Sequence, residues 1–270
     1  MTIKPDRVRF FKKSLPVYRR EASQDQMELV VVEEISGGIG MLWTIQEELL
    51  DTFCQVQWIR MDKRRSKIRP VGGASALGLN IAIRNASNDA LLATHPECLQ
   101  LGTVRVALND FRPDSVTYFE TYKSDKTTES RFPDTASAGY FDMLVADGVD
   151  NIPFVAPWRP NCWYGMAYLF SKTLISSIGA VEESTMLGFG CEDDILGWML
   201  VNNGIPVLIN TKGKCVHLWH PTQEETIPIE HYHRNYNLCE KIRKEKIKTA
   251  NVGHYWGSED SVISIDRWAA

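Results

Sequence analysis

No apolar run in these 270 residues approaches the roughly 20 that a membrane-spanning helix requires, so no span is expected. The N-terminus is polar and charged, without the apolar stretch of a secretory signal. An excess of one charge is also missing, since the formal balance is only −4. The basic clusters Lys63-Arg64-Arg65 and residues 241–248 read as solvated faces or a contact to a phosphate, not as a nucleic-acid footprint. No two of the six cysteines form a Cys-x-x-Cys pair. Without a signal segment they are expected to stay reduced, in a cytoplasm or in a host's cytoplasm if the source is viral. Internal repeats are absent too. What is present is 44% hydrophobic residues, enough to bury a full core in one large α/β domain or two small ones.

Short apolar runs alternate with helical periodicities along the chain. Phe10, Phe11, Leu15 and Tyr18 suit a first helix, and Glu28-Leu29-Val30-Val31-Val32-Glu33 reads as a buried parallel strand ending in acids. Residues 53–59 form a second strand candidate, and Ala76, Leu79, Ile83 and Ala86 share one face of a helix. Residues 89–94 make a third strand that runs into His95-Pro96-Glu97. The pattern at 104–108 does not decide between strand and helix. Residues 116–122 are strand-like, and 123–160 are loop-rich. A second half then carries a helix over 171–178, an acidic helix, a strand over 205–210 and a basic helical tail over 229–248. Such alternation predicts a mostly parallel, helix-covered sheet, with ligands beyond the carboxyl ends of its strands.

The most informative stretch is Gly188-Phe189-Gly190-Cys191-Glu192-Asp193-Asp194. Three carboxylates stand where a glycine-flanked loop becomes a helix whose Ile195, Leu196, Met199 and Leu200 would be buried. A solvated acidic helix start gives the same pattern, because the helix dipole favours negative charge there. Downstream, Cys215-x-His217-x-x-His220 offers ligand types that also suit zinc, although no fourth donor at suitable spacing is evident.

Taken in order, the pieces are the strand ending in Glu33-Glu34, the Asn80-x-x-x-Arg84-Asn85 helix and His95-Pro96-Glu97. They continue with Gly-Phe-Gly-Cys-Glu-Asp-Asp and Val216-His217-Leu218-Trp219-His220-Pro221. From about residue 7 to about residue 245 this series resembles the glycosyltransferase A fold, and within it the family 2-like glycosyltransferases. The resemblance implies a single domain over 1–270 with a mixed, mostly parallel, Rossmann-like sheet flanked by helices. Residues 1–110 would hold the nucleotide-sugar and metal, and 111–270 the acceptor and catalytic groups with the helical tail. The implied activity is Mn²⁺- or Mg²⁺-dependent transfer of a sugar, from a UDP-sugar foremost, to an acceptor hydroxyl with inversion. The chemistry wants a cation against the departing diphosphate and a carboxylate to take the acceptor's proton.

By the same resemblance Asp193 is the general base, with Glu192 beside it bonding a hydroxyl, while Asp194 caps the helix. Glu97 and His217 meet the metal, and His220 is secondary. Glu33 or Glu34 contacts the nucleoside, Arg84 faces the diphosphate, and His95 lies near the ribose or the ion. Trp163, with Trp158 and Tyr164 just before Gly165, offers a sugar-stacking face, and Gly190 is counted with the nucleotide-sugar contacts. Each has a plainer reading as well: turn caps for Glu33, Glu34 and Glu97, a surface ion pair for Arg84, core packing for the aromatics. Two departures stand out. The family's Asp-x-Asp is replaced by His95-Pro96-Glu97, and residues 2–9 hold no apolar strand where the family has its first one. These departures favour a rival reading, a non-catalytic glycan-binding or assembly module. A nucleotidyltransferase would need a glycine-rich, basic loop after its first strand, and none is found.

Overall fold

In the computed structural model of the chain, residues 1–35, 38–67, 70–71, 75–124, 155–157, 167–220 and 227–270 are described. The first sheet begins with β1 (Thr2–Ile3), β2 (Glu28–Glu34) and β3 (Gln55–Met61), and β10 (Val262–Ala269) closes it in the order β1-β2-β3-β10. The helix α1 (Val8–Glu21) crosses between β1 and β2, and the short α2 (Gln46–Leu50) between β2 and β3. The β1–β2 and β2–β3 ladders are parallel, whereas β10 runs antiparallel to β3.

Strand alternation sorts the side chains of this sheet into two layers. Leu29, Val31, Val56 and Trp58 pack with Phe11, Leu15 and Tyr18 of α1 and with Leu42 and Leu49. Val32, Ile59 and Met61 face the other way, onto Leu77 and Ile81 of α3 (Ser75–Asn85).

The second sheet comprises β4 (Ala90–Thr94), β5 (Cys98–Leu101), β6 (Val116–Ser124), β8 (Ala167–Ser171) and β9 (Val207–His217), in the order β4-β8-β6-β9-β5. A short β7 (Val155–Pro157) pairs with β6 off this path. Among the described residues only β6–β9 is a parallel ladder here; β4–β8, β6–β8, β6–β7 and β5–β9 are antiparallel. The mostly parallel sheet expected from the sequence is thus corrected to two mixed sheets flanked by helices. Four antiparallel elements, β5, β7, β8 and β10, were not read as strands. The four residues of β5 follow a tight turn, and β10 is a half-exposed edge without a continuous apolar run.

One face of the second sheet carries Val116, Tyr118, Tyr168 and Phe170 against Ile195, Leu196, Met199 and Leu200 of α6 (Glu192–Asn202). Cys239 and Ile242 of α7 (Ile229–Glu245) join that cluster. The opposite face carries Cys98, Phe119, Leu169 and Cys215 against Val106 of α4 (Thr103–Asp110). Residues 104–108, undecided in the sequence, are therefore helical. The predicted helix at 171–178 is α5 (Lys172–Ser177), with the Ser171 hydroxyl accepting from the Leu174 amide at its start.

Polar contacts join the two sheets. Glu28 at the start of β2 accepts from the Ser87 amide and hydroxyl and from Asn88. Asn80 of α3, fully buried, donates to the Val181 carbonyl and to Glu183 and accepts from the Val181 amide. None of the described helices is long and apolar enough to cross a membrane.

Candidate metal centre

Three buried or half-buried side chains, far apart in the sequence, meet at the carboxyl end of the second sheet: Glu97, His217 and His220. Local structure explains each position. The Cys98 amide donates to the His95 carbonyl at 3.1 Å, closing a turn through Pro96 that presents Glu97. His217 owes its place to an irregularity in β9. Pairing with β6 passes from Phe119↔Asn210 directly to Glu120↔Lys214, so residues 211–213 are looped out. The Asn210 carboxamide oxygen holds that loop by accepting from the amides of Lys212 and Gly213 at 2.8 and 3.1 Å. Gly213 is required there, because a Cβ would lie 2.8 Å from the Phe119 ring. Beyond the loop the register is reset, and His217 pairs with Cys98 on one side and Lys123 on the other.

The chain then turns under two further bonds. The Leu218 amide donates to the Glu97 carbonyl at 2.8 Å, and the Trp219 amide to the Ser124 hydroxyl at 2.8 Å. They bring His220 back over Glu97. His217 Nε2 lies 3.7 Å and His220 Nε2 3.3 Å from the same oxygen, Glu97 Oε1. The two imidazole centroids are 5.0 Å apart, and Phe10 of α1 lies 6.2 Å from that of His220.

Burial would by itself raise the Glu97 carboxyl, but the neighbouring imidazoles of His217, His220 and His95 outweigh it and hold the group far below the usual carboxylate range. Burial also lowers His217 and His95, which favours the neutral imidazoles that a metal needs. Glu97 Oε2 is buried with no hydrogen-bond partner. The ligand atoms of the three residues lie within 4.8 Å of one another, and the group could hold a metal ion. Two imidazoles and one carboxylate are a donor set used by transition metals. Cys215, two residues before His217, is not one of the three, so Glu97 completes the set instead.

Comparison with models of known protein families gives no match, and no curated protein matches the sequence either.

The structure places the other sequence-derived candidates elsewhere. Glu33 is fully buried, and its carboxylate accepts from the Met41 amide at 2.7 Å and from Trp58 Nε1 at 2.9 Å. It clasps the loop after β2. Glu34 pairs with Lys63 at 3.1 Å. The Arg84 guanidinium is stacked on Tyr255 and Trp256, with its carbon 3.6 and 4.2 Å from the two ring centres. Neither a nucleoside role for the two acids nor a diphosphate role for Arg84 draws support from these contacts. His95 adjoins the centre, where burial favours its neutral form. Trp163, with Trp158 and Tyr164, lies outside the described residues.

The acidic loop is held by α7. Asn235 is fully buried and donates to the carbonyls of Thr185 and Gly190 at 2.9 and 2.8 Å. A Cβ on Gly188 would come within 2.3 Å of Asn235 Oδ1, so only glycine lets the two segments touch. Gly190 and Cys191 both have positive φ, 71° and 64°, turning the chain into α6. Gly190 therefore serves the backbone. Cys191, not Asp194, occupies the cap position, and it makes no side-chain cap bond. Asn235→Ala would leave two carbonyls without their donor and should lower stability by about 1–3 kcal/mol, measurable by urea denaturation.

Asp193 stands in the first turn of α6, where its charge acts on Tyr118 and Tyr168. These tyrosines point to the α6 face of the second sheet, whereas His217 shares the opposite face with Cys98. Asp193 and Glu192 are thus not brought into the group formed by Glu97, His217 and His220. They do lie near the same end of the sheet, since Tyr168 pairs with Ala93, one residue from the end of β4. Burial, then the charges of Glu192 and Asp194, pushes Asp193 well above the usual carboxylate range. Burial raises Glu192 as well. Sequence reasoning missed Tyr118 and Tyr168. Their alternation with Phe119 and Leu169 on neighbouring strands was the available signal. The Tyr118 hydroxyl is buried without a hydrogen-bond partner.

Proposed function

We propose that the chain is a metal-dependent transferase that moves a sugar from a nucleotide-sugar donor, a UDP-sugar foremost, to an acceptor hydroxyl. The observation that carries this reading is the convergence of Glu97, His217 and His220 at the carboxyl ends of β4, β6 and β9. Two imidazoles beside one carboxylate favour Mn²⁺ over Mg²⁺, which prefers an all-oxygen shell. A cation held there would neutralise the charge growing on a departing diphosphate. A donor lying across the strand ends would have its diphosphate on the Glu97 side and its sugar toward α6. Asp193 would take the acceptor's proton in its ionised form, and because burial holds it well above the usual carboxylate range, transfer should rise with pH through that raised value; Glu192 would bond a neighbouring hydroxyl.

The test is a donor-hydrolysis screen across nucleotide sugars with and without Mn²⁺, alongside calorimetry with UDP and Mn²⁺. Metal-dependent turnover of at least one donor is expected. Specific observations favour a second reading, a glycan- or nucleotide-binding module without turnover. Glu33, Glu34 and Arg84 are engaged by the protein itself, and Asp193 lies on the face opposite His217. Metal-dependent UDP binding with no hydrolysis of any donor would select that reading. Absence of both would remove the transferase proposal.

A further inference from the structure

The row of rings on the α6 face of the second sheet contains a hydroxyl that the fold leaves unsatisfied. Tyr118, Tyr168 and Phe170 stack in sequence, with ring centres 5.6 and 5.5 Å apart and interplanar angles of 24° and 27°. Phe170 shows that a plain ring suits this row. Tyr118 is only 5% exposed, and its hydroxyl has no hydrogen-bond partner among the described residues. A buried hydroxyl without a bond costs stability that a phenylalanine would not, so the partner has to come from outside the chain. The sheet parts beside this group. Tyr118↔Tyr168 is the last pair between β6 and β8, and β6 is next joined on that side by β7, at Tyr122↔Pro157. Between them, Phe119, Glu120 and Thr121 have no partner strand on that edge among the described residues. The first turn of α6 stands close by. Ile195 and Leu196 pack in the cluster that holds Tyr118, and the charges of Asp193 and Asp194 act on its hydroxyl. Asp193 is only half-buried, so solvent reaches the turn.

The chemistry of the two groups selects the ligand. A phenol both donates and accepts. Burial, then the charges of Glu192 and Asp194, raise Asp193, and while it keeps its proton it too offers a donor beside an acceptor. The three acids of the turn repel a phosphate or a carboxylate. An ammonium has no acceptor for the phenolic proton. An apolar group would leave the hydroxyl as unsatisfied as before. Adjacent hydroxyls on a neutral ring meet each requirement, because they donate and accept at neighbouring positions.

We infer that Tyr118 is a specificity-determining residue, whose hydroxyl joins the Asp193 carboxyl in gripping two neighbouring hydroxyls of a sugar ring at the start of α6. That the ring is a sugar rests on the reading proposed above, whereas the subsite itself rests on the unpaired hydroxyl and the parted sheet.

The test is saturation-transfer NMR on the whole chain, with the methyl glycosides of glucose, galactose, mannose and N-acetylglucosamine as probes. At least one glycoside should bind, and Tyr118→Phe should weaken it about five- to tenfold. The Tm of that variant should be no lower than the wild type's, since the hydroxyl has no bond in the free protein to lose. Deoxy forms of the bound glycoside then identify the hydroxyl that Tyr118 reads. One of them should bind the wild type more weakly than its parent does, yet bind Tyr118→Phe just as the parent does. A lower Tm in Tyr118→Phe would make the hydroxyl part of the fold, and undiminished affinity would make it a bystander. Binding of glucosamine in preference to glucose would make the acids a cation site. Any of these results, or no glycoside binding at all, overturns the proposal. Glycoside binding that depends on Tyr118, without turnover of any nucleotide sugar, would keep this subsite and end the transferase reading. Metal-dependent turnover with the same KM in Tyr118→Phe as in the wild type would do the reverse.

Discussion

His217→Ala is expected to lower Mn²⁺ affinity by at least about 100-fold, since even the loss of a group that merely supports a metal ligand costs 10–100-fold. Titration calorimetry with the metal alone reads this directly. His217 and Glu97 enter the centre from β9 and from the turn before β5, and their ladder partners hold them whether or not an ion is bound. Metal binding should therefore stabilise a site already in place. At an Mn²⁺ concentration about 100 times Kd, the gain for the wild type is about 2.7 kcal/mol. For a chain of this size that is a rise of several degrees in Tm, and the rise should vanish in His217→Ala. Glu97→Gln, close to isosteric but without the charge, should lose the same rise and so separate ligand loss from cavity formation. An unchanged Mn²⁺ titration in both variants would show that the two histidines and the acid are only a hydrogen-bonded cluster.

The sequence made Glu97 and His217 legible as a pair because of their chemical types, and the fold supplies the reason they meet. Their approach depends on features with no periodic signature: the looped-out residues 211–213, the Asn210 turn that holds them and the Ser124–Trp219 bond that swings His220 inward. His220 was accordingly underrated. The first sheet was readable in β2 and β3, since parallel strands buried on both faces appear as continuous apolar runs. β1 could not be read, because two residues carry no period at all. The expectation that residues 2–9 hold no strand is corrected, since Thr2 and Ile3 pair in parallel with Val32 and Glu33. Arg84 and Glu33 show the opposite failure. Their positions along the chain suggested ligand contacts, but Tyr255, Trp256, Trp58 and the Met41 amide engage them instead, through segments whose arrival no local pattern announces.

Asp193→Asn should make the protein more stable at neutral pH while removing transfer. Two influences on its carboxylate compete. The start of α6 favours negative charge there, typically by about 0.3–1 kcal/mol. Burial beside Tyr118 and Tyr168, with Glu192 and Asp194 adjacent, acts against it and prevails, so the group sits well above its ordinary range. Above pH 4 and up to that raised value, the folded chain keeps a proton that the unfolded chain has released. The native state then binds more protons than the unfolded one, and stability falls as pH rises through this window. The asparagine has no such proton to lose. Near pH 8 the variant should melt higher than the wild type by at least about 2–4 °C, equivalent to about 1 kcal/mol or more, and the difference should disappear by pH 4. If Asp193 serves as the base, turnover should drop by about 10²–10⁴ with Mn²⁺ binding unaltered. Stability gained where activity is lost is the mark of a carboxylate kept for chemistry. A variant that melts lower at pH 8 would instead identify Asp193 as an anchor of the helix start and take away its role as base.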